Sequence, residues 1–357
     1  MTVGFFANTP RALVGSDCIA TNSQTALTHF SPSSVADEFP RDEARMFPLV
    51  SKQLLLDDRT IVTFAGDFCQ IRRYAEHLST QWSTYDKSQR PMQFLHDIDQ
   101  QIRAVDPGWS TSILGVYAGD DDGQLYFNTY STPWSSRTLE TNHMGTCHAI
   151  GSGAESVLRY LALLDSRLTV LGQWPKNTFF ALLGALDGRV FFNYGDDKRV
   201  ARWGGALQLR LFIPDKVLWA RTPPWLHIHL FVDASGKCIG IDRKIVIHGS
   251  AAGTNYATLV KVIIYNGVSG GQVDYYWPIF SPLTQVSEIN SLDPSKVMDT
   301  VRQVTVSMTK EGLGLAHHTA EYEYYQREDA IHVSDTIHIN RDKVYEMSKM
   351  SLILPTT

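Results

Sequence analysis

The sequence predicts an α+β protein in two parts. Up to about residue 222, segments in which apolar and polar residues alternate are interleaved with longer ones whose apolar residues recur every three to four positions, the patterns of strands and amphipathic helices. Beyond that point the alternating kind dominates, and Pro214, Pro223 and Pro224 interrupt the pattern at the join. At 357 residues, 43% apolar and 19% charged, the chain has globular composition and room for two domains, placed at 1–222 and 223–357.

The elements follow in order. VGFFAN and RALVGSD alternate as strands about a turn at Thr9-Pro10, so the chain opens on a hairpin. From about 22 to 46, two prolines and mixed charges mark an exposed loop. LVSKQLLLDD and RTIVTFAGD read as two further strands. A helix is predicted from about Phe68 to Ser83, where Ile71, Tyr74, Ala75 and Leu78 share a face, and a second over MQFLHDIDQQIRAV. STSILGVYAG and GQLYFNTY pair about the turn Asp120-Asp121-Asp122-Gly123. CHAIGSG leads into a helix, AESVLRYLALLDSRL, and another is predicted from the cap Asn177 through TFFALLGAL. After the strand GGALQLRLF, the second part reads as short strands (LHIHLFVD, CIGIDRKIVIH, ATLVKVIIYN, QVDYYWPIF, RQVTVSM and AIHVSDTIHIN) with one helix around Pro294 to Val301.

Composition narrows the function. A formal charge of -5, from 32 Lys and Arg against 37 Asp and Glu, supplies no basic field for nucleic acid or an anionic membrane, so neither partner is expected. No window approaches the roughly 18 to 20 continuous apolar residues of a membrane span, and the first residues show no basic-then-apolar leader pattern, which predicts a cytoplasmic protein. Cys18, Cys69, Cys147 and Cys238 are dispersed without a C-x-x-C pair, which argues against a zinc ribbon or a disulfide framework.

Four short pieces carry the chemistry: SDCIAT, with Asp17, Ala20 and Thr21; SKQLLL, with Lys52; TFAGD, with Ala65-Gly66; and HAIGSGAESVL, with Gly151-Ser152-Gly153 opening a helix. Taken singly, Asp17 reads as a strand-end residue, Lys52 as a solvated strand lysine and Gly66 as a glycine making room for a helix. Their joint order, and the fourteen-residue step from Lys52 to Gly66, resemble the proteasome β-subunit and its bacterial relatives, the N-terminal nucleophile (Ntn) hydrolases, over about residues 2–215. The resemblance implies a four-layer αββα sandwich followed by a β-rich C-terminal domain of unassigned role. It also implies a homo-oligomer, such as a ring, that cleaves peptide or protein substrates without a cofactor or metal.

In that family an N-terminal Thr supplies both a hydroxyl nucleophile and a free α-amine, and the amine's intrinsic pKa of roughly 7.7 to 8 suits it to general-base work near neutrality. By position the resemblance makes Thr2 the nucleophile once Met1 is trimmed. Lys52 then becomes the cation that favours the alkoxide, Asp17 the carboxylate that holds the lysine, and Gly66 the backbone oxyanion donor. Ser152 reads either as the family's serine beside the amine or as a helix N-cap with Glu155 three residues on; both can hold at once. The path from Thr2 to Asp17 is one residue shorter than the family's, so either the hairpin loop is shortened or Met1 occupies the nucleophile's place. In KRVARWGG, Val200 and Trp203 stand where the family has an aspartate and a serine. The alternative function is therefore a non-catalytic, proteasome-like scaffold subunit that displays its C-terminal domain.

Two other patterns compete. Gly267-Val268-Ser269-Gly270-Gly271 matches G-x-S-x-G, but a strand rather than a helix follows it, so a hairpin turn is expected. His227 and His229 share a strand face at a spacing some metal sites use, yet two ligands do not complete a site.

Overall fold

The computed structural model describes residues 3–8, 12–17, 49–85, 90–171, 207–221, 225–232, 238–249, 257–266, 271–283, 300–301, 303–310, 318–322 and 331–332. In chain order the first elements are β1 (Gly4–Ala7), β2 (Leu13–Asp17), β3 (Leu49–Val50), β4 (Gln53–Leu55), β5 (Thr60–Ala65), α1 (Phe68–Thr84) and α2 (Pro91–Val105). Next come β6 (Ser112–Asp121), β7 (Gln124–Ser131), β8 (Arg137–Glu140), β9 (Thr146–Ile150), α3 (Ala154–Leu171), β10 (Leu207–Ile213) and β11 (Leu218–Arg221). The remainder is all strand: β12 (Trp225–Val232), β13 (Cys238–Gly249), β14 (Ala257–Asn266), β15 (Gly271–Phe280), β16 (Thr300–Val301), β17 (Gln303–Lys310), β18 (His318–Tyr322) and β19 (Ile331–His332).

Local chemistry explains the elements that flank the candidate site. Asp67 caps α1 by accepting the N–H groups of Cys69 and Gln70, and Ile71, Tyr74, Ala75, Leu78 and Trp82 recur on its buried face. Pro91 opens α2, where its missing N–H is no loss. The two-residue loop Asp122-Gly123 joins β6 to β7 with both residues at positive φ, 49° and 81°, and Asp120 accepts the Gly123 N–H at 2.8 Å. An Asp-Gly pair suits that primed turn because its twist matches the strands it joins.

Hydrogen bonding arranges the strands in a six-stranded sheet, β11-β10-β2-β1-β9-β8, a four-stranded sheet, β4-β5-β6-β7, a seven-stranded sheet, β18-β17-β12-β13-β14-β15-β3, and the pair β16-β19. Pairing is antiparallel except for β12 with β17 and β15 with β3. The six- and four-stranded sheets share an apolar layer in which Phe6 and Val14 meet Ile61, Leu114 and Val116. The other face of the four-stranded sheet buries Val62, Phe64 and Ile113 against Ile71, Leu78, Leu95 and Ile98 of α1 and α2. Each such side chain contributes roughly 1.5–3 kcal/mol when fully buried. Packing is close enough that a Cβ at Gly15 would run into the ring of Phe5.

The structure corrects the four-layer αββα Ntn-hydrolase sandwich expected from the sequence. That layering requires helices covering both outer sheet faces, whereas the described residues are mostly strand with three α-helices among them. Two of these, α1 and α2, lie on the four-stranded sheet, and α3 alone packs beside β8 and β9. The β-branched and aromatic runs after residue 224 explain the weight of sheet: they extend into strands such as the 12-residue β13 and 10-residue β14, which pair with each other in the largest sheet. The helix expected from Asn177 lies outside the described residues. So does most of the one expected around Pro294 to Val301, whose last two residues form β16 instead. Among the described residues no helix is long and apolar enough to cross a membrane.

Candidate active site

The candidate site forms where the chain begins. Gly4 registers with Ser16, which brings Val3 and Asp17 together at the end of the β1–β2 hairpin. The Asp17 N–H donates to the Val3 carbonyl at 3.2 Å, and the Val3 N–H donates to Asp17 Oδ1 at 2.8 Å. The same oxygen accepts from Lys52 Nζ at 2.9 Å, in an ion pair whose side chains are 2% and 0% exposed.

Lys52 arrives there through a break that alternation did not reveal. LVSKQLLLDD was expected as one strand, but β3 pairs with β15 and β4 with β5, so the segment changes sheets at Ser51-Lys52. Ser51 Oγ accepts the Gln53 N–H at 3.3 Å across the break. The Lys52 carbonyl accepts the Phe64 N–H at 2.8 Å, fixing the residue's backbone to β5 while its side chain reaches Asp17. A buried ammonium is tolerated only when paired and hydrogen-bonded, and the pairing also fixes where the charge sits.

Gly66 lies two residues beyond Phe64, at the same end of the four-stranded sheet. Its φ is 147°, and a Cβ there would stand 2.5 Å from Thr111 Oγ1 and 2.7 Å from Thr111 Cα, so only glycine fits. The carbonyl of the Ala65–Gly66 peptide accepts from the buried Ser112 hydroxyl at 3.2 Å. Asp67 follows directly as the cap of α1.

Ser152 comes from the neighbouring strand. Ile150 of β9 registers with Gly4, and the chain then turns through Gly151 at φ 89°. Ser152 is exposed two residues past Ile150. The capping-box reading is corrected by one residue: α3 begins at Ala154, and the Gly153 carbonyl accepts the first helical N–H, from Val157. Glu155 pairs forward with Arg159 at 2.7 Å. The structure thus brings Asp17 and Lys52 into contact, places Ser152 two residues past Ile150, the partner of Gly4, and places Gly66 two residues past Phe64, whose N–H meets the Lys52 carbonyl. Thr2, Ala20, Thr21, Val200 and Trp203 lie outside the described residues.

Neither a family model nor a curated protein matches the chain. The chemistry therefore rests on the residues themselves.

Several polar residues around this end were not singled out from sequence. Gln53 Nε2 donates to the Gln208 carbonyl at 2.9 Å and so ties β4 to β10. Behind Gly66, fully buried Asp99 of α2 accepts from Tyr74 and Tyr130 hydroxyls, each at 2.9 Å, and pairs with Arg103 at 3.2 Å. Burial and the Asp99 charge push both tyrosine pKa values upward, so the phenols stay protonated donors. The one signal for this cluster was an aspartate on the apolar face of a predicted helix.

The competing patterns gain little. Residues 267–270 lie outside the described residues, and β15 follows at once from Gly271, so the helix that a nucleophile elbow requires is not there. His227 and His229 lie on β12, and among the described residues no group of three or more His, Cys, Asp or Glu is placed to hold a metal ion.

Thiol chemistry offers a check on this part of the fold. Burial, followed by the nearby Asp165 carboxylate, pushes the Cys147 thiol in β9 up to about 12, whereas Cys69 on α1 is exposed. Because the thiolate is the nucleophile, iodoacetamide at pH 8 should alkylate Cys69 in the folded protein and spare Cys147 until denaturant is added. Peptide mapping of the alkylated protein reads this directly; equal labelling of both would mean that β9 is not packed as described.

Proposed function

We propose that the chain is an N-terminal threonine amidohydrolase of the proteasome β-subunit type, cleaving peptide bonds within a homo-oligomer. The observation that carries this reading is the buried Lys52–Asp17 ion pair, whose carboxylate also holds the Val3 N–H. Thr2 is joined to that nitrogen by one peptide bond, so the pair stands one residue from the proposed nucleophile. A surface lysine at the end of a strand would need no such arrangement.

In the proposed reaction the Thr2 α-amine takes the hydroxyl proton, directly or through a water, as the oxygen attacks the substrate carbonyl. The Lys52 charge favours the developing alkoxide, and the Gly66 N–H receives the oxyanion. Collapse expels the peptide amine, which leaves with the proton, and an ester to Thr2 remains. Water activated by the same α-amine then hydrolyses the ester and restores the hydroxyl. No cofactor or metal enters these steps. Free thiols at Cys69 and Cys147 fit a reducing compartment, and we place the activity in the cytoplasm.

Intact mass of the purified protein before and after treatment with a peptide bearing a threonine-directed electrophile tests the proposal. We expect a species lacking Met1 that gains one adduct, mapped to Thr2, together with turnover of at least one fluorogenic peptide. If Met1 is retained throughout and neither adduct nor turnover appears, the non-catalytic scaffold reading replaces this one.

A further inference from the structure

At the strand-to-helix junction two contacts reach Gly66 directly, from Ser112 and Thr111, and two further side chains, Gln70 and Arg103, hold Thr111. The peptide that carries the Gly66 N–H has its carbonyl bonded by the Ser112 hydroxyl at 3.2 Å, and Ser112 is 1% exposed. Thr111 fills the space a side chain would take. Thr111 is in turn fixed by Gln70, whose Oε1 lies 3.1 Å from its N–H and 3.0 Å from its hydroxyl. From the other side, Arg103 Nη2 donates to the Thr111 carbonyl at 2.9 Å and Nη1 to the Trp109 carbonyl at 3.2 Å, while buried Asp99 orients the guanidinium.

The β5–β6 ladder already joins these strands, with Ala65 opposite Ser112. One extra contact, from the Ser112 hydroxyl, falls on the peptide proposed to receive the oxyanion, and the others fix Thr111, which packs against Gly66. A trans peptide is planar with its carbonyl and N–H pointing in opposite directions, so a hydroxyl bonded to the Ala65 oxygen sets the direction of the Gly66 N–H. The same bond polarises the peptide and strengthens that N–H as a donor.

We propose that Ser112 and Gln70 are positioning residues that fix the Gly66 peptide as a preorganised oxyanion donor. This rests on the amidohydrolase reading and adds to it the residues that aim the donor. Donors fixed before reaction contribute most where charge develops, and small misplacements at such a centre are expensive.

The test compares Ser112→Ala, Ser112→Thr, Gln70→Met and Gln70→Glu with wild type, with kcat counted per site titrated by the electrophilic peptide. Ser112→Ala removes only a hydroxyl and Gln70 is half-buried, so two independent routes to a folded variant exist. We expect Ser112→Ala and Gln70→Met to lose roughly 10- to 100-fold in kcat with KM nearly unchanged. Ser112→Thr and Gln70→Glu, which keep the donor and the acceptor, should recover most of it. A peptide boronate, whose adduct carries the tetrahedral geometry, should lose affinity in parallel with kcat/KM, whereas a ground-state peptide should not. If wild type turns over and both deletions keep kcat per site, the positioning role is overturned while the amidohydrolase reading stands. If wild type neither turns over nor forms an adduct, both fall.

Discussion

Lys52→Met should abolish the proposed peptide hydrolysis, with a loss on the order of 100-fold or more, because it removes the preorganised charge that the proposal assigns to the attacking oxygen. The same change strips the buried Asp17 carboxylate of the Lys52 ammonium, and breaking a buried pair on one side commonly costs about 3–5 kcal/mol of stability. Activity and folding would then fall together and leave the role of the lysine undecided. The double variant Asp17→Asn/Lys52→Met separates them. The side-chain amide introduced by Asp17→Asn presents a neutral oxygen to the Val3 N–H, which Asp17 now accepts at 2.8 Å, so no isolated charge is buried. Urea unfolding should recover most of the lost stability in the double variant, while turnover stays at the level of the single one. Substantial activity in the stable double variant would show that the Lys52–Asp17 pair only anchors the start of the chain.

Which parts of this site were legible in sequence follows from the range of the interactions involved. The helix over Phe68 to Ser83 was visible because its apolar spacing is local, and it forms as α1 with Asp67 as its cap. The turn at Gly123 was visible because an Asp-Gly pair has few other uses between alternating segments. The contact between Asp17 and Lys52 spans 35 residues, and only the order of motifs suggested it. The change of sheets at Ser51-Lys52 was hidden, since period-two alternation says that a segment is extended but not which strand it joins. Asp99 was hidden for the opposite reason: its partners Tyr74 and Tyr130 come from two other elements, and a lone acid on an apolar helix face announces a conflict without naming its resolution. The fold class failed at the level of layers. Alternation and helical spacing identify elements, whereas the number of helices that cover a sheet depends on long-range packing that the described strands settle in favour of sheet.

The N-terminus is where the proposed chemistry is most exposed to test. An amide nitrogen has no usable lone pair, so a variant that retains one uncleavable residue before Thr2 should fold as wild type yet show no turnover. Thr2→Ala should be equally inactive through loss of the hydroxyl, while Thr2→Ser keeps both groups and should keep part of the rate. The pH profile adds a sign. The amine works as a base only when neutral, so kcat/KM should fall as pH drops below its intrinsic pKa of roughly 7.7–8.0, and a neighbouring Lys52 ammonium shifts that limb to lower pH by disfavouring a second positive charge. In the single variant Lys52→Met, which loses the ammonium and keeps the Asp17 carboxylate, any residual rate should therefore show the limb at higher pH. The Val3 N–H sits on Asp17 whatever residue precedes it, so thermal unfolding of the extended variant should match wild type. Full activity in a preparation whose every molecule carries the extension would remove Thr2 as nucleophile and leave the buried ion pair as an anchor for β1.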